Sequence, residues 1–378
     1  MTTSPDYVVV ADPESLRWQH YQRDLHEFLS QFRPRPQLHV LPWPDVVHRD
    51  GEISDLLPKR SALFRVESPA RDFELARLLM QAGEIDAGIE ASQWHTDLEG
   101  WIASPKMMYR GLCRILHNLD DCLRDQPHCR TTSSLPDTQV LFDKNAVSEQ
   151  LHEHEIPTPN SFRPTSHASV LDQHLAHGWT QSYVKLAYGS CASGIAMLNS
   201  RSRPVKALTT VIEIENRFYN TYRGRDVVDE ELNSILRFLV RQDATVQQAI
   251  PKARIDRNEF DVRVVMIDGQ PAASVFRANS IPITNLHLGG YRADPAACRR
   301  LISKRAWADA VDVCWQASQR YAMAALGIDL AFDANTWEPK IIEINAFGDF
   351  FPNWKNEAGK SLHLLEIEAT AKRLRRGD

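Results

Sequence analysis

The chain has 378 residues, 43% of them hydrophobic and 25% charged, with a net charge of −5 at pH 7. That length supports two or three domains with a sizeable core, and the mildly acidic balance argues against bulk attraction to nucleic acid or an anionic membrane. No stretch reaches the roughly 18 apolar residues of a membrane span, Met1 to Asp6 lack the pattern of a signal peptide, and the six cysteines form no Cys-x-x-Cys pair, which speaks for reduced thiols in a cytoplasm rather than a zinc cage or a disulfide framework.

In chain order, Tyr7 to Val10 reads as a first strand. Asp12-Pro13 reads as a cap and first helical residue of a helix to about Phe28. Leu38 to Leu41 and Ala62 to Val66 read as strands. Ser68-Pro69 is a second cap-plus-proline start, and Gly83 a natural stop. These elements predict a small α/β domain over residues 1–105. The glycine fingerprint of dinucleotide binders is missing after the first strand. Arg65 and Glu67 fall at the carboxyl end of a strand, where open α/β sheets place ligands, and Ser68 would cap a helix able to hold an anion. Arg65 and Ser68 are therefore candidate substrate residues, against the plainer reading of an ion pair and a cap.

A helical connector is expected over 106–141. Asp143 then caps a helix, with Phe142 stapling against Val147, and Lys144 sits one residue inside its start. A cation there opposes the helix dipole, which hints at an external anion. Tyr183 to Leu186 reads as a strand that runs into Gly189-Ser190-Cys191-Ala192-Ser193-Gly194. Glycines let backbone N–H groups turn toward phosphate oxygens, and Lys185 supplies a point charge. The alternative is a flexible loop between strands. Glu259 to Ile267 and Ala272 to Ala278 read as a hairpin around Asp268-Gly269. Asp261 and Arg263 share one face of it; a two-residue turn puts Arg277 on the other face, a three-residue turn on the same one. Residues 303–326 carry apolar side chains at helical spacing, with Gly327 as the stop.

The last hairpin has arms Ile328 to Asp333 and Lys340 to Asn345. On strands, Glu343 and Asn345 face one way, Ile342 and Ile344 the other. Asp329, Ala331 and Asp333 oppose Ile328, Leu330 and Phe332 in the same manner. Carboxylates and an amide on one face suit Mg²⁺; the plain alternative is a hairpin whose polar face lies in water. A symmetric six-residue loop pairs Asp329 with Ile344, so an odd loop or a bulge is needed to set Asp329 beside Glu343 or Asn345.

Taken in order, Asp143-Lys144, Val184-Lys185 with its glycine loop, Gln247-Gln248-Ala249-Ile250, Asp261-Val262-Arg263, Arg277, Asn285 to Gly290, Gly327-Ile328-Asp329 and Glu343-Ile344-Asn345 resemble the ATP-grasp superfamily, and within it the RimK-like ligases. The resemblance runs from Phe142 to Pro352. It implies an α/β, ATP-grasp fold, two α+β subdomains clasping ATP over 142–378 (a lid at about 180–245, a metal-binding part at about 246–378), preceded by the small α/β domain. It also implies ATP and Mg²⁺, two ions with Mn²⁺ as a substitute. Lys144, Lys185, Gly189, Ser190, Gly194, Gln248, Ala249, Asp261 and Asn285 would contact ATP. Asp329, Glu343 and Asn345 would ligate metal, with Asp333 open as an alternative. Arg277, Lys185 and Arg263 would be catalytic. The implied reaction activates a small-molecule or peptide carboxylate as an acylphosphate and joins it to an amine or thiol. An ATP-grasp kinase and a non-catalytic ATP-binding module are the rivals, and a homo-oligomer is compatible with the sequence. Departures are Gln248 where the family carries an acid, an apolar Ile281-Pro282-Ile283 loop without the expected basic residue, a longer metal hairpin, and Ala346 to Pro352 in place of the usual small-residue turn.

Overall fold

The computed structural model describes all residues except 1–4, 70–71, 91, 93, 95–98, 190–191, 202, 350 and 377–378. Among the described residues no helix is long and apolar enough to cross a membrane. Cys113, Cys122, Cys129, Cys298 and Cys314 are free thiols.

The first part comprises β1 (Asp6–Ala11), α1 (Leu16–Leu29), β2 (Leu38–Pro42), α2 (Trp43–His48), β3 (Ala62–Val66), α3 (Phe73–Asp86), α4 (Pro105–Arg124), β4 (Cys129–Thr131) and α5 (Leu135–Phe142). Its four strands are parallel in the order β2-β1-β3-β4. Both faces are covered, which is why β1 is an unbroken apolar run after Asp6. Val8, Val10 and Phe64 pack toward α2, α3 and α4. Tyr7, Val9 and Leu63 pack toward α1 and toward Ile367 of a helix from the far end of the chain.

Three expected boundaries move here. Helix α1 starts after Ser15, because Asp12 accepts a hydrogen bond from the Glu14 N–H at 2.9 Å and closes a turn of its own. Helix α3 starts after Asp72, which caps Glu74, so Ser68 is not a helix cap. Gly83 does not stop α3. A Cβ on Gly83 would come 2.0 Å from the Met107 carbonyl, and one on Gly111 would come 1.9 Å from the Leu79 carbonyl. The two glycines let α3 and α4 cross in backbone contact.

The second part comprises α6 (Lys144–Glu153), β5 (Ser161–Phe162), α7 (His167–Ala176), β6 (Gln181–Leu186), β7 (Ile195–Asn199), β8 (Lys206–Ile214), β9 (Arg217–Val227), α8 (Asp229–Arg241) and β10 (Ala244–Gln248). Asp143 caps α6 as expected, accepting from the N–H groups of Asn145 and Ala146. The sheet runs β5-β10-β6-β7-β8-β9. Alternation along β6 sends Val184 and Leu186 into the core under α8 and turns Tyr183 and Lys185 to the opposite face. Tyr188, just past β6, stacks on Tyr109 of α4 at 4.0 Å between centroids, bracing the glycine loop on the connector.

The third part comprises β11 (Arg254–Ile255), β12 (Asn258–Ile267), β13 (Gln270–Asn279), β14 (Tyr291–Arg292), α9 (Pro295–Leu301), α10 (Lys304–Ser318), β15 (Ala325–Phe332), β16 (Pro339–Asn345) and α11 (Leu362–Arg376). Its sheet runs β14-β13-β12-β15-β16, with β11 on β12. Helix α10 ends at Ser318, well short of Gly327. Gly327 lies inside β15, where a Cβ would come 2.4 Å from the Gly348 carbonyl and 3.0 Å from the Arg263 guanidinium. It marks close approach rather than a helix end. The polar face of this sheet shares a cavity with β6 and the loop after it; the apolar face packs on α6, α9 and α10.

Candidate active site

Two β-bulges set the geometry. The β12–β13 turn has two residues, Asp268 and Gly269, both at positive φ. A register shift after Val265 then places Asp261 directly opposite Arg277, on the same face. In the last hairpin the loop is residues 333–338, and the ladder shifts between Leu330 and Asp329, so that Asp329 stands opposite Glu343 with Ile342 as the extra residue. The bulge the sequence required is present. It also turns Ile342 away from the core, where it had been expected, and onto the cavity wall beside Glu343. Asp333 stays in the turn, accepting hydrogen bonds from the N–H groups of Asn335 and Thr336 at 2.8 and 3.3 Å.

Two cavities meet at this face. The first is walled by Tyr183, Ile250, Ile283 and Ile342 on its apolar side and by Lys144, Lys185, Lys252 and the loop residues Gly189, Ala192 and Ser193 on its polar side; Gln248, Asp261 and Asn285 also line it. The second contains Arg17, Ser68, Arg263, Arg292, Asn345 and Phe347. Lys144, Arg277, Asp329 and Glu343 belong to both.

The shared wall is charged and ordered. Arg263 binds Asp329 bidentately, one arm at 2.9 Å, and reaches Asp349 at 3.0 Å. Arg277 donates to Asp261 at 2.7 Å and lies 2.9 Å from Asp329. Burial alone would raise the Asp329 carboxyl; the guanidiniums of Arg263 and Arg277 outweigh it and hold it at about 2. Both guanidiniums are held more firmly protonated in return, burial opposing and Asp329 prevailing. Lys144 lies 3.5 Å from Glu343 and donates to the Gly189 carbonyl. Lys185 donates to Gln247 at 2.7 Å. Burial drops its ammonium to about 8, against the pull of Glu343. The Asn345 amide nitrogen donates to the Gly327 carbonyl at 3.2 Å, which leaves Oδ1 as its acceptor atom.

Gly194, Ala249 and Arg65 do not line the two cavities. Gly194 does not line the first cavity: its N–H donates to Asn220, and its φ of +63° with Leu186 close behind accounts for the glycine. Ala249 packs with Tyr183 and Ile283 while its N–H bonds the Gln181 carbonyl. Ser190 lies outside the described residues. Arg65 reaches neither cavity. It is 4% exposed, bonded to Glu67 and to Glu366 of α11, with Tyr21 under its guanidinium at 4.0 Å. Ser68 lines the second cavity without capping a helix.

Sequence reasoning missed Lys252 and Arg17. Lys252 is buried beside the apolar loop, donating to the Pro282 carbonyl at 3.1 Å and to Thr284 at 2.9 Å. It brings a basic group from another segment against the 281–283 loop. Arg17 ties Glu67, at 3.2 Å, to the Phe347 carbonyl, so the first domain holds the segment that follows the last strand. Neither residue belongs to a local pattern that could have pointed to it.

No protein-family model and no curated protein matches the sequence. Solved structures do match over nearly the whole chain. D-cycloserine synthetase DcsG is 14% identical, with 97% of this chain and 99% of that one covered and a TM-score of 0.53. The ATP-grasp ligase PsnB, complexed with precursor peptide PsnA2 and AMPPNP, is 12% identical over 98% and 100%, with a TM-score of 0.51. D-alanine–D-alanine ligase from Bacillus anthracis, complexed with ATP, is 11% identical over 100% and 99%, with a TM-score of 0.50. At such identities the likeness is one of architecture alone: the chain has the ATP-grasp fold.

Proposed function

We propose that the protein is an ADP-forming ligase that activates a carboxylate as an acylphosphate and joins it to an amine or, less favourably, a thiol. The observation that carries this reading is the wall of Lys144, Arg277, Asp329 and Glu343 shared by two cavities. One cavity has the apolar-plus-lysine lining that a nucleotide needs; the other is rich in arginine.

ATP lies in the first cavity, its base against Ile250, Ile283 and Ile342 and its phosphates toward Lys144, Lys185 and Lys252. The carboxylate lies in the second, with a carboxylate oxygen in line with the terminal phosphorus. That oxygen attacks phosphorus; the bond to the bridging oxygen breaks, and ADP leaves with the electron pair. The amine then attacks the acyl carbon, loses a proton, and phosphate leaves. Arg277 and the lysines stand where charge spreads over the transferred phosphoryl oxygens. Asp329, Glu343 and Asn345 fit Mg²⁺: they are hard oxygen donors on adjacent strands, and the Asp329 carboxylate keeps a lone pair on Oδ2 beyond those its arginines use. Mg²⁺, when bound, supplies positive charge against the phosphate oxygens. The RimK-like order of motifs agrees with this reading.

The test is a panel of small acids and acidic peptides with enzyme, Mg·ATP and hydroxylamine. The expected products are a hydroxamate and one equivalent of ADP, with turnover abolished in Glu343→Ala and Asn345→Ala. AMP as product overturns the mechanism. A stable phosphoester with ADP replaces it by a kinase, and absence of turnover across the panel favours a binding module.

A further inference from the structure

The second cavity holds more positive charge than the shared wall uses. Arg17, Lys144, Arg263, Arg277 and Arg292 line it, against the carboxylates of Asp329, Glu343 and Asp349. Arg17 pairs with Glu67, Lys144 with Glu343, Arg263 with Asp329 and Asp349, and Arg277 with Asp261 and Asp329. Arg292 is the exception: among the described residues no carboxylate stands within ion-pair distance of it. Its guanidinium lies over the Phe351 ring, 5.7 Å from the centroid.

The position of Arg292 is fixed by the sheet. β14 pairs with β13 so that Arg292 is directly opposite Arg277, and the next N–H, of Ala293, bonds the Phe276 carbonyl at 2.9 Å. Residues directly opposite share a face, with Cβ atoms about 5 Å apart, and like charges so placed repel. Two acids neutralise Arg277; among the described residues no carboxylate neutralises Arg292, whose side chain is exposed. The aromatic face under its guanidinium orients the planar fork without discharging it. A cation held this way gains once an anion enters the cavity beside it.

We propose that Arg292 binds a second anionic group on the carboxylate substrate, so that the acid activated is a dicarboxylate with its two groups a few carbons apart. This rests on the ligase reading: one carboxylate meets the shared wall, and the distal one meets Arg292. An amide or hydroxyl at the distal position would leave the guanidinium unpaired, which is the basis of discrimination.

Calorimetric titration of the enzyme with Mg·AMPPNP bound reads this without turnover. The probes are glutarate, adipate and glutamate, each against its ω-monoamide, and 3-phosphonopropionate. Each diacid is expected to bind at least about tenfold more tightly than its monoamide, the range of a charge-assisted contact. Arg292→Gln should erase that difference with the melting temperature and AMPPNP affinity retained, and Arg292→Lys should keep part of it. Equal binding of acid and monoamide, no measurable binding of any diacid, or an unaltered preference in Arg292→Gln overturns the proposal. Tighter binding of the phosphonate than of glutarate overturns the dicarboxylate assignment in favour of a phosphoryl group. Diacids that bind with this preference yet release no ADP when Mg·ATP replaces Mg·AMPPNP leave Arg292 in place and remove the ligase reading instead.

Discussion

In the proposed reaction, Lys185 is under two influences that pull its proton in opposite directions. Burial lowers its ammonium to about 8, while a bound phosphate favours the charged form. Without nucleotide the ammonium loses its proton as pH rises through about 8, so Mg·ATP affinity should fall above that pH, and Lys185→Arg should flatten the profile. Binding measured between pH 6.5 and 9.5 checks this; equal slopes for the two proteins would remove Lys185 from the phosphates. Arg65 is the converse case, an arginine whose charge is spent inside the fold. Glu67 beside it titrates near 2: burial would raise it, but Arg65 and Arg17 hold it ionised. Removing one partner of a buried pair costs about 3–5 kcal/mol. Arg65→Ala should therefore lower the unfolding free energy by that order, read from a denaturant midpoint, rather than act selectively on substrate KM. Periodicity places both residues on strands. It cannot tell a lysine that faces a cleft from an arginine that meets an acid, because the acid Glu366 arrives from 301 residues away.

The bulge at Ile342 lets one strand present an apolar side chain and a carboxylate to the same cavity in succession. The two should be separable. Ile342→Ala removes wall against the base and should weaken adenosine and ATP by a similar factor. Lys185→Ala should weaken ATP by about 1.5–3 kcal/mol and adenosine far less. Competition binding with both ligands distinguishes them, and an ATP-only effect of Ile342→Ala would place the base elsewhere. The strands of this site were legible because alternation is local: Asp329 with Glu343, and Asp261 with Arg263, follow from period two once a bulge is granted. The boundaries at Ser68 and Gly327 were not. A serine before proline resembles a cap wherever it occurs, and Asp72 took that role. A glycine after a helical run resembles a stop, whereas Gly327 admits the Gly348 carbonyl between strands. Lys252 was hidden for a third reason, since its partners Pro282 and Thr284 belong to another loop.

The three parts are held together by the ends of the chain as much as by its middle. Arg17 of the first part holds the Phe347 carbonyl of the third, and α11 returns to lay Leu364 and Ile367 on the first sheet. Ile367→Ala, at a side chain 1% exposed, should cost about 2–5 kcal/mol. Hydrogen exchange should then speed up in α1, β1 and β2 together with α11. A change confined to α11 would show that the first domain stands without it. The sheet order β2-β1-β3-β4 requires neither contact, which is why a reading of strands and helices in sequence divides the chain without revealing how its last helix is shared. That sharing has a consequence for synthesis. The first sheet is translated before α11, so Tyr7, Val9 and Leu63 keep part of their face uncovered until residues 362–376 have followed. The first domain is thus completed only after the two parts that follow it. A translation product interrupted before α11 would carry an unfinished apolar face on that sheet, a natural target for chaperones and for proteases that clear stalled chains.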